Sequence, residues 1–298
     1  MKLLILALLA IGAFAEEDFN APEYAPVDAT MIVPVEDMPG FWEGRELPKE
    51  VFTPNPRSAR IVGGVEVVPN SHPYQVALHM NFGTGTGLCG GSVLSTNAAL
   101  TAAHCPIGSQ STLVIAGAHN RNIVEATQQR RTVTSANYRI HANYNPSNLN
   151  NDIAILIVPT LWTHNAAVQP TRLPTAFASE LFVGETARST GWGRTTNTGA
   201  TSAVLRKAYN PVVTNAVCAG VYGSSVVIAS VICIATSGVN QGTCNGDSGG
   251  VLSVPRAGDS RPIQIGVTSF VAAAGCVAGF PSGFARVTSF LTWINNNH

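Results

Sequence analysis

The sequence predicts an all-β domain preceded by a processed leader. Three observations carry this. From Ile61 onward the chain reads as short, β-branched apolar runs broken by Gly, Asn, Pro and Ser. Its 28 glycines and 18 prolines suit a turn-rich sheet protein better than a helical bundle. All six cysteines lie beyond residue 88, an even number in one compact region. The 298 residues are 45% hydrophobic and only 11% charged, which argues against a disordered chain. Lysine and arginine (17) balance aspartate and glutamate (17), so the basic excess of a nucleic-acid binder is missing.

The elements follow in chain order. Residues 1–15 carry Lys2, an apolar run from Leu3 to Ile11, and Ala13-Phe14-Ala15. That is the pattern of a secretory signal. The run is shorter than the roughly 20 residues a membrane span needs, so an exported product without a membrane anchor is expected. Residues 16–60 contain ten acidic side chains against Arg45, Lys49, Arg57 and Arg60, a net charge of −6, together with seven prolines. The prolines remove backbone donors and discourage helix and sheet, so an extended, weakly ordered acidic leader is expected. Residues 61–298 carry 12 basic and 7 acidic side chains, a net +5.

Within 61–298 the clearest strand candidates are Tyr74–Met80, Thr112–Ala116, Ile153–Val158, Ala203–Ala208 and Ile263–Thr268. Their spacing suggests a sandwich or barrel. One helix is expected, from Val287 to Asn296, with Phe290, Leu291, Trp293 and Ile294 apolar. The cysteines stand at 89, 105, 218, 233, 244 and 276. Six cysteines allow about 15 pairings, and no C-x-x-C spacing favours a metal site, so disulfides are expected and a metal is not.

Three motifs carry chemistry. His104 stands beside Cys105 at the end of the run Leu100-Thr-Ala-Ala. Asp152 heads the apolar run Ile153-Ala-Ile-Leu. Ser248 sits in the glycine-dense stretch Gly242-Thr-Cys-Asn-Gly-Asp-Ser-Gly-Gly. A serine hydroxyl becomes a nucleophile when a neutral histidine takes its proton. The histidine in turn needs a carboxylate to fix its tautomer and stabilise the imidazolium. Glycines let backbone N–H groups converge on a developing oxyanion. Each motif alone is weak; together, in an exported Cys-paired β domain, they are specific.

With Ile61-Val-Gly-Gly, Thr101-Ala-Ala-His-Cys, Asp152-Ile-Ala, Gly191-Trp-Gly and Gly246-Asp-Ser-Gly-Gly, residues 61–298 resemble the chymotrypsin/trypsin family of serine endopeptidases. The resemblance implies two six-stranded antiparallel barrels with a cleft between them. It implies Ser248 as nucleophile, His104 as proton shuttle, Asp152 as its orienting carboxylate, and the N–H groups of Gly246 and Ser248 as oxyanion hole. Ser269 matches the serine that hydrogen-bonds the triad aspartate. The implied disulfides are Cys89–Cys105, Cys218–Cys233 and Cys244–Cys276. Arg60–Ile61 matches the family's activation bond, cut by an Arg-specific protease, after which the Ile61 ammonium pairs with Asp247.

The same alignment places Gly242, Ser269, Val271 and Ser282 around the substrate pocket. Neither Gly242 nor Ser282 offers the carboxylate of a Lys/Arg-selective pocket, and Val271 stands where glycine is common. Small, medium apolar or aromatic side chains are therefore the expected preference, because a buried unpaired cation is costly. Ala118 and Gln128 replace the carboxylates of calcium-binding relatives, and Pro281 argues against a sodium site. No cofactor is expected. Gly87 takes the place where chymotrypsinogens often carry a histidine that steadies the inactive loop, which leaves the means of keeping this precursor quiet open. A secreted, digestive, monomeric endopeptidase acting on proteins or peptides, and open to protein inhibitors, is the leading reading. An inactive homologue serving as a binding module and a narrow cascade protease are the alternatives. The intact triad speaks against the first; the absence of cysteine before residue 89, and so of a disulfide-built accessory module, speaks against the second.

Overall fold

A computed structural model describes residues 31–41, 43, 64–239, 241–256 and 259–298. The expected signal at 1–15 and the activation bond Arg60–Ile61 lie outside the described residues.

The strands are β1 (Ile32–Pro34), β2 (Val65–Glu66), β3 (Gln75–Asn81), β4 (Thr86–Val93), β5 (Ala98–Thr101), β6 (Ser111–Ala116), β7 (Gln129–Thr134), β8 (Tyr138–Ile140) and β9 (Ala154–Ile157), followed by β10 (Thr186–Gly191), β11 (Arg206–Val213), β12 (Val231–Ile234), β13 (Val251–Arg256), β14 (Asp259–Phe270) and β15 (Ser282–Arg286). They form two barrel-like sheets. In the first, the strand order is β7-β6-β3-β4-β5-β9-β8, a curved open path. In the second, β10-β13-β14-β15-β12-β11 closes through a β10–β11 pairing into a six-stranded ring, with β2 added on β11.

Alternation sets these faces. Along β3, Val76, Leu78 and Met80 enter the core of the first sheet with Val114, Leu100 and Ile155. Ala77 points the other way and joins Ile115, Trp192 and Leu205. That second cluster binds one sheet to the other. Ile232, Ile265, Leu252 and Phe284 fill the second ring.

Two helices are present among the described residues. The first, α1 (Asn215–Tyr222), was not legible in the sequence. It buries only Cys218 and Tyr222, one turn apart, so it lacks a long apolar stripe. Thr214 caps its start, accepting from the Val217 N–H at 3.3 Å, and Gly223 at φ 81° ends it. The expected terminal helix begins as a 3-10 turn, Val287–Phe290, and becomes α-helical only as α2 (Leu291–Asn295). Phe290 and Ile294 anchor it in the first core.

The acidic leader departs from the expectation of weak order. Strand β1 lies in it, runs parallel to β4, and pairs Ile32 with Thr86, Val33 with Gly87 and Pro34 with Leu88. A 3-10 turn, Val35–Asp37, follows. The described pairing of β5 with β4 is confined to Ser92 and Val93, so β1 fills an edge that β5 does not reach. The prolines oppose sheet as argued. Pro34 is tolerated because it ends the strand, where no further donor is needed.

Candidate active site

Antiparallel pairing of β5 with β9 sets Thr101 opposite Ala154 and Leu100 opposite Ile155. His104 lies three residues past the end of β5, and Asp152 two residues before β9. The ladder therefore brings the two side chains together. His104 Nδ1 is 2.7 Å from Asp152 Oδ2, and the His104 backbone N–H donates to Asp152 Oδ1 at 2.9 Å. Ser269 Oγ donates to Asp152 Oδ2 at 2.6 Å. The carboxylate, 1% exposed, thus has three donors and no need of water. With Asp152 accepting at Nδ1, the neutral ring carries its proton there and leaves Nε2 as a base. Among the described residues that Nε2 has no hydrogen-bond partner.

Ser248 comes from the loop before β13 in the other sheet. Its carbonyl accepts from the Gly90 N–H at 2.7 Å, and the Gly249 N–H donates to the Thr268 carbonyl at 2.8 Å. The first bond holds the loop against β4 and the second against β14. Gly249 has φ +75°, and a Cβ there would come within 2.1 Å of Thr101 Oγ1, so glycine is required by both backbone and space. Disulfides Cys89–Cys105 and Cys244–Cys276 brace the His104 and Ser248 segments, and Cys218–Cys233 ties α1 to β12. The ligand-capable atoms of Cys89, His104 and Cys105 lie within 4.8 Å of one another, but the bonded sulfurs offer no thiolate to a metal.

Asp247 is buried beside this loop. Its Oδ1 accepts from the Gly193 N–H at 2.7 Å and its Oδ2 from the Cys244 N–H at 2.9 Å. A Cβ on Gly193 would sit 2.5 Å from the Asp247 carboxyl carbon, which explains the glycine of Gly191-Trp-Gly. Burial pushes the Asp247 carboxyl up to about 7, while the two N–H bonds pull it down and Glu36 adds to the rise. The expected partner, the Ile61 amine, lies outside the described residues.

Around the substrate pocket the residues are placed unequally. Val271 packs with the Cys244–Cys276 disulfide and lines a small cleft shared with Ser248, Ser269 and Phe270. A Cβ on Gly242 would lie 3.2 Å from Thr236 Cγ2, so the position is snug but not closed. Ser282 opens β15 opposite Ile234, and among the described residues its buried Oγ has no hydrogen-bond partner.

Sequence reasoning missed Glu36, Asp37 and Phe41. The Ser248 hydroxyl donates to Glu36 Oε1, and the Gly246 N–H donates to Glu36 Oε2 at 3.3 Å. Burial pushes the Glu36 carboxyl above its ordinary value, against the opposing pull of His104 and the Ser248 bond. Asp37 forms an ion pair with Arg194. The Phe41 ring meets the His104 imidazole edge-on, with centroids 5.9 Å apart. The available signal was the apolar run Ile32-Val-Pro-Val followed by Met38 and Phe41, set in an otherwise acidic, proline-rich leader.

Two sheets meeting at a His–Asp pair, with a serine loop facing them, define the class: a serine endopeptidase with a chymotrypsin-like fold. The family comparison agrees, because the Trypsin family model matches residues 61–294, and the chain belongs to that family. It is 44% identical over 235 residues to brachyurin of Leptuca pugilator, covering 78% of this chain and 96% of the relative. It is 37% identical over 242 residues to chymotrypsin-like elastase family member 1 of Canis lupus familiaris, covering 80% and 92%. Among solved structures, HL collagenase superposes with a TM-score of 0.70 at 33% identity, over 79% of this chain and 97% of that one.

Proposed function

We propose that the chain is a secreted precursor, with residues 1–15 as signal, 16–60 as activation leader and 61–298 as protease domain. An Arg-specific protease cuts Arg60–Ile61. The new Ile61 ammonium enters the Asp247 site and supplies a cation that none of the described residues gives this buried carboxylate, since an uncompensated buried charge is costly.

In the cut enzyme, Ser248 attacks the scissile carbonyl as His104 Nε2 takes its proton. Asp152, steadied by Ser269, holds the imidazolium. The tetrahedral oxyanion is received by the N–H groups of Gly246 and Ser248. His104 then protonates the leaving amine, and water hydrolyses the acyl-enzyme by the reverse sequence. One observation carries this reading. Ser248 Oγ and the Gly246 N–H converge on the two oxygens of a single carboxylate, marking where a substrate carbonyl would be gripped.

Val271 against the disulfide, and the absence of a carboxylate at Gly242 and Ser282, support a preference for small, medium apolar or aromatic side chains over Lys and Arg. The names brachyurin and collagenase among the relatives fit a digestive enzyme of broad range. The test is cleavage at Arg60, N-terminal sequencing of the product, labelling of Ser248 by an organophosphonate, and a peptide-substrate panel. The expected result is Ile61 as the new terminus, stoichiometric labelling and hydrolysis led by Ala, Leu or Phe. No labelling after a verified cut would leave an inactive homologue as the reading. A panel led by Arg would overturn the specificity.

A further inference from the structure

We propose that residues 32–41 are an acidic, active-site-directed inhibitory peptide, which blocks Ser248 in the precursor and still binds non-covalently once Arg60–Ile61 has been cut. This deepens the protease reading and rests on it.

The segment has the marks of a fitted ligand. Glu36 is 8% exposed, and its two oxygens engage Ser248 Oγ and the Gly246 N–H, the groups that a substrate carbonyl would need. Phe41 closes over His104 from the side. Val35 is fully buried in the core of the first sheet, with Ile32 and Met38 buried beside it. Covering such side chains contributes about 1.5–3 kcal/mol each before ordering costs. Asp37 pairs with Arg194 at the rim.

The receiving surface is shaped for it. At Gly87 a Cβ would lie 3.3 Å from Val35 Cα and 2.9 Å from the Phe82 ring, so a side chain there would obstruct the leader. A Cβ at Gly85 would lie 3.1 Å from Met38 Cε. Gly87 is also the position where the histidine of other precursors is missing. Leader docking thus offers a second means of silence at the place where the first is absent.

The peptide inhibits without being consumed at Glu36. A side-chain carboxylate stands in the hole in place of a backbone carbonyl. A carboxylate is a poor electrophile with no amine to expel, so attack by Ser248 there leads nowhere. Residues 16–60 contain no cysteine, so no disulfide retains the leader after the cut. Retention rests on β1, the buried apolar groups and attraction between a −6 leader and a +5 domain. Cutting also removes the tether, which otherwise supplies an effective concentration on the order of millimolar. Full activity should therefore lag behind the cut and come sooner in dilute solution or high salt.

The test uses the Arg60-cut enzyme, separated from its leader at high salt, with a fluorescein-labelled synthetic peptide of residues 31–43. Anisotropy reads binding, and hydrolysis of a small chromogenic peptide reads turnover in the same sample. The expected result is binding with competitive inhibition, a peptide that stays uncut, and affinity at least about tenfold weaker for the Glu36→Ala peptide. Active enzyme that fails to bind the peptide would overturn the inhibitory role and leave the protease reading intact. So would cleavage within 32–41, non-competitive inhibition, or equal affinity of the Glu36→Ala peptide. Peptide binding by a preparation that turns over no substrate would overturn the protease reading, and the inhibitory role with it.

Discussion

Two buried aspartates, one in each half of the site, are held in opposite ways. Asp152, on the first sheet, has His104 as a side-chain partner, Ser269 as a second donor and the His104 backbone N–H as a third. Asp247, on the Ser248 loop, has two backbone N–H groups, and its carboxyl is pushed up to about 7. The first is already complete: β5 and β9 bring His104 to it through strand pairing, and Ser269 adds a donor from β14. Among the described residues the second has no cationic partner, and the proposed cut at Arg60–Ile61 would supply one. The contrast teaches that the proton-handling half of such a site can be preformed while the nucleophile half remains conditional.

The largest blow to this contrast is chemical. Ser248→Ala in the cut enzyme should lower kcat about 10⁶-fold, with thermal stability little changed. Asp152→Asn should lower kcat about 10⁴-fold by fixing the wrong tautomer, as read in steady-state assays. A smaller loss would mean that the described His104–Asp152 bond does not orient the base.

Asp247→Asn strikes the conditional half. The cut enzyme should lose activity by about 10²–10³-fold, because an oxyanion donor is no longer held. The same variant has a precursor signature. Asp247 has a raised folded-state pKa, so its contribution to stability is fully present below its ordinary value of 3.8 and is lost as pH rises through about 7. Relative to Asp247→Asn, the uncut protein should therefore lose up to about 4 kcal/mol between those values, seen as a falling Tm. In the cut enzyme, the proposed pairing of the Ile61 amine with Asp247 should reverse this trend near neutrality, because it favours the charged carboxylate.

Ser269→Ala removes one donor from the complete half, with an expected cost near tenfold in kcat and a shifted pH–rate profile. Unchanged kinetics would show that two donors suffice for Asp152. The smallest effect concerns choice of substrate. Val271→Gly should raise kcat/KM for Phe over Ala severalfold by widening the cleft beside the Cys244–Cys276 disulfide, as read in a two-substrate competition.

Much of the site could be read from the chain, for a local reason. His104, Asp152 and Ser248 each sit in a short motif whose neighbours serve the same residue. Ala102 and Ala103 are fully buried just before His104, buried Ile153 leads from Asp152 into β9, and Gly249 gives Ser248 its clearance. Strand runs such as Thr112–Ala116 were legible from β-branched apolar content, and β6 extends this one by a single residue. Helix α1 was hidden because two buried residues make no periodic pattern. The leader was misread because composition averages over residues. Ten acidic groups and seven prolines describe the segment, yet its fit depends on six particular residues, only two of them acidic: Ile32, Val35, Glu36, Asp37, Met38 and Phe41.

What the sequence alone determined is therefore the family, several of the strands and the candidate triad, since each depends on neighbours in the chain. The tertiary structure decided what meets at the site from afar. A carboxylate at position 36 reaches a hydroxyl at position 248 only because β4 leaves an open edge and Gly87 leaves room. An edge and a void are properties of a surface already folded, and no local pattern of residues encodes what will lie against them.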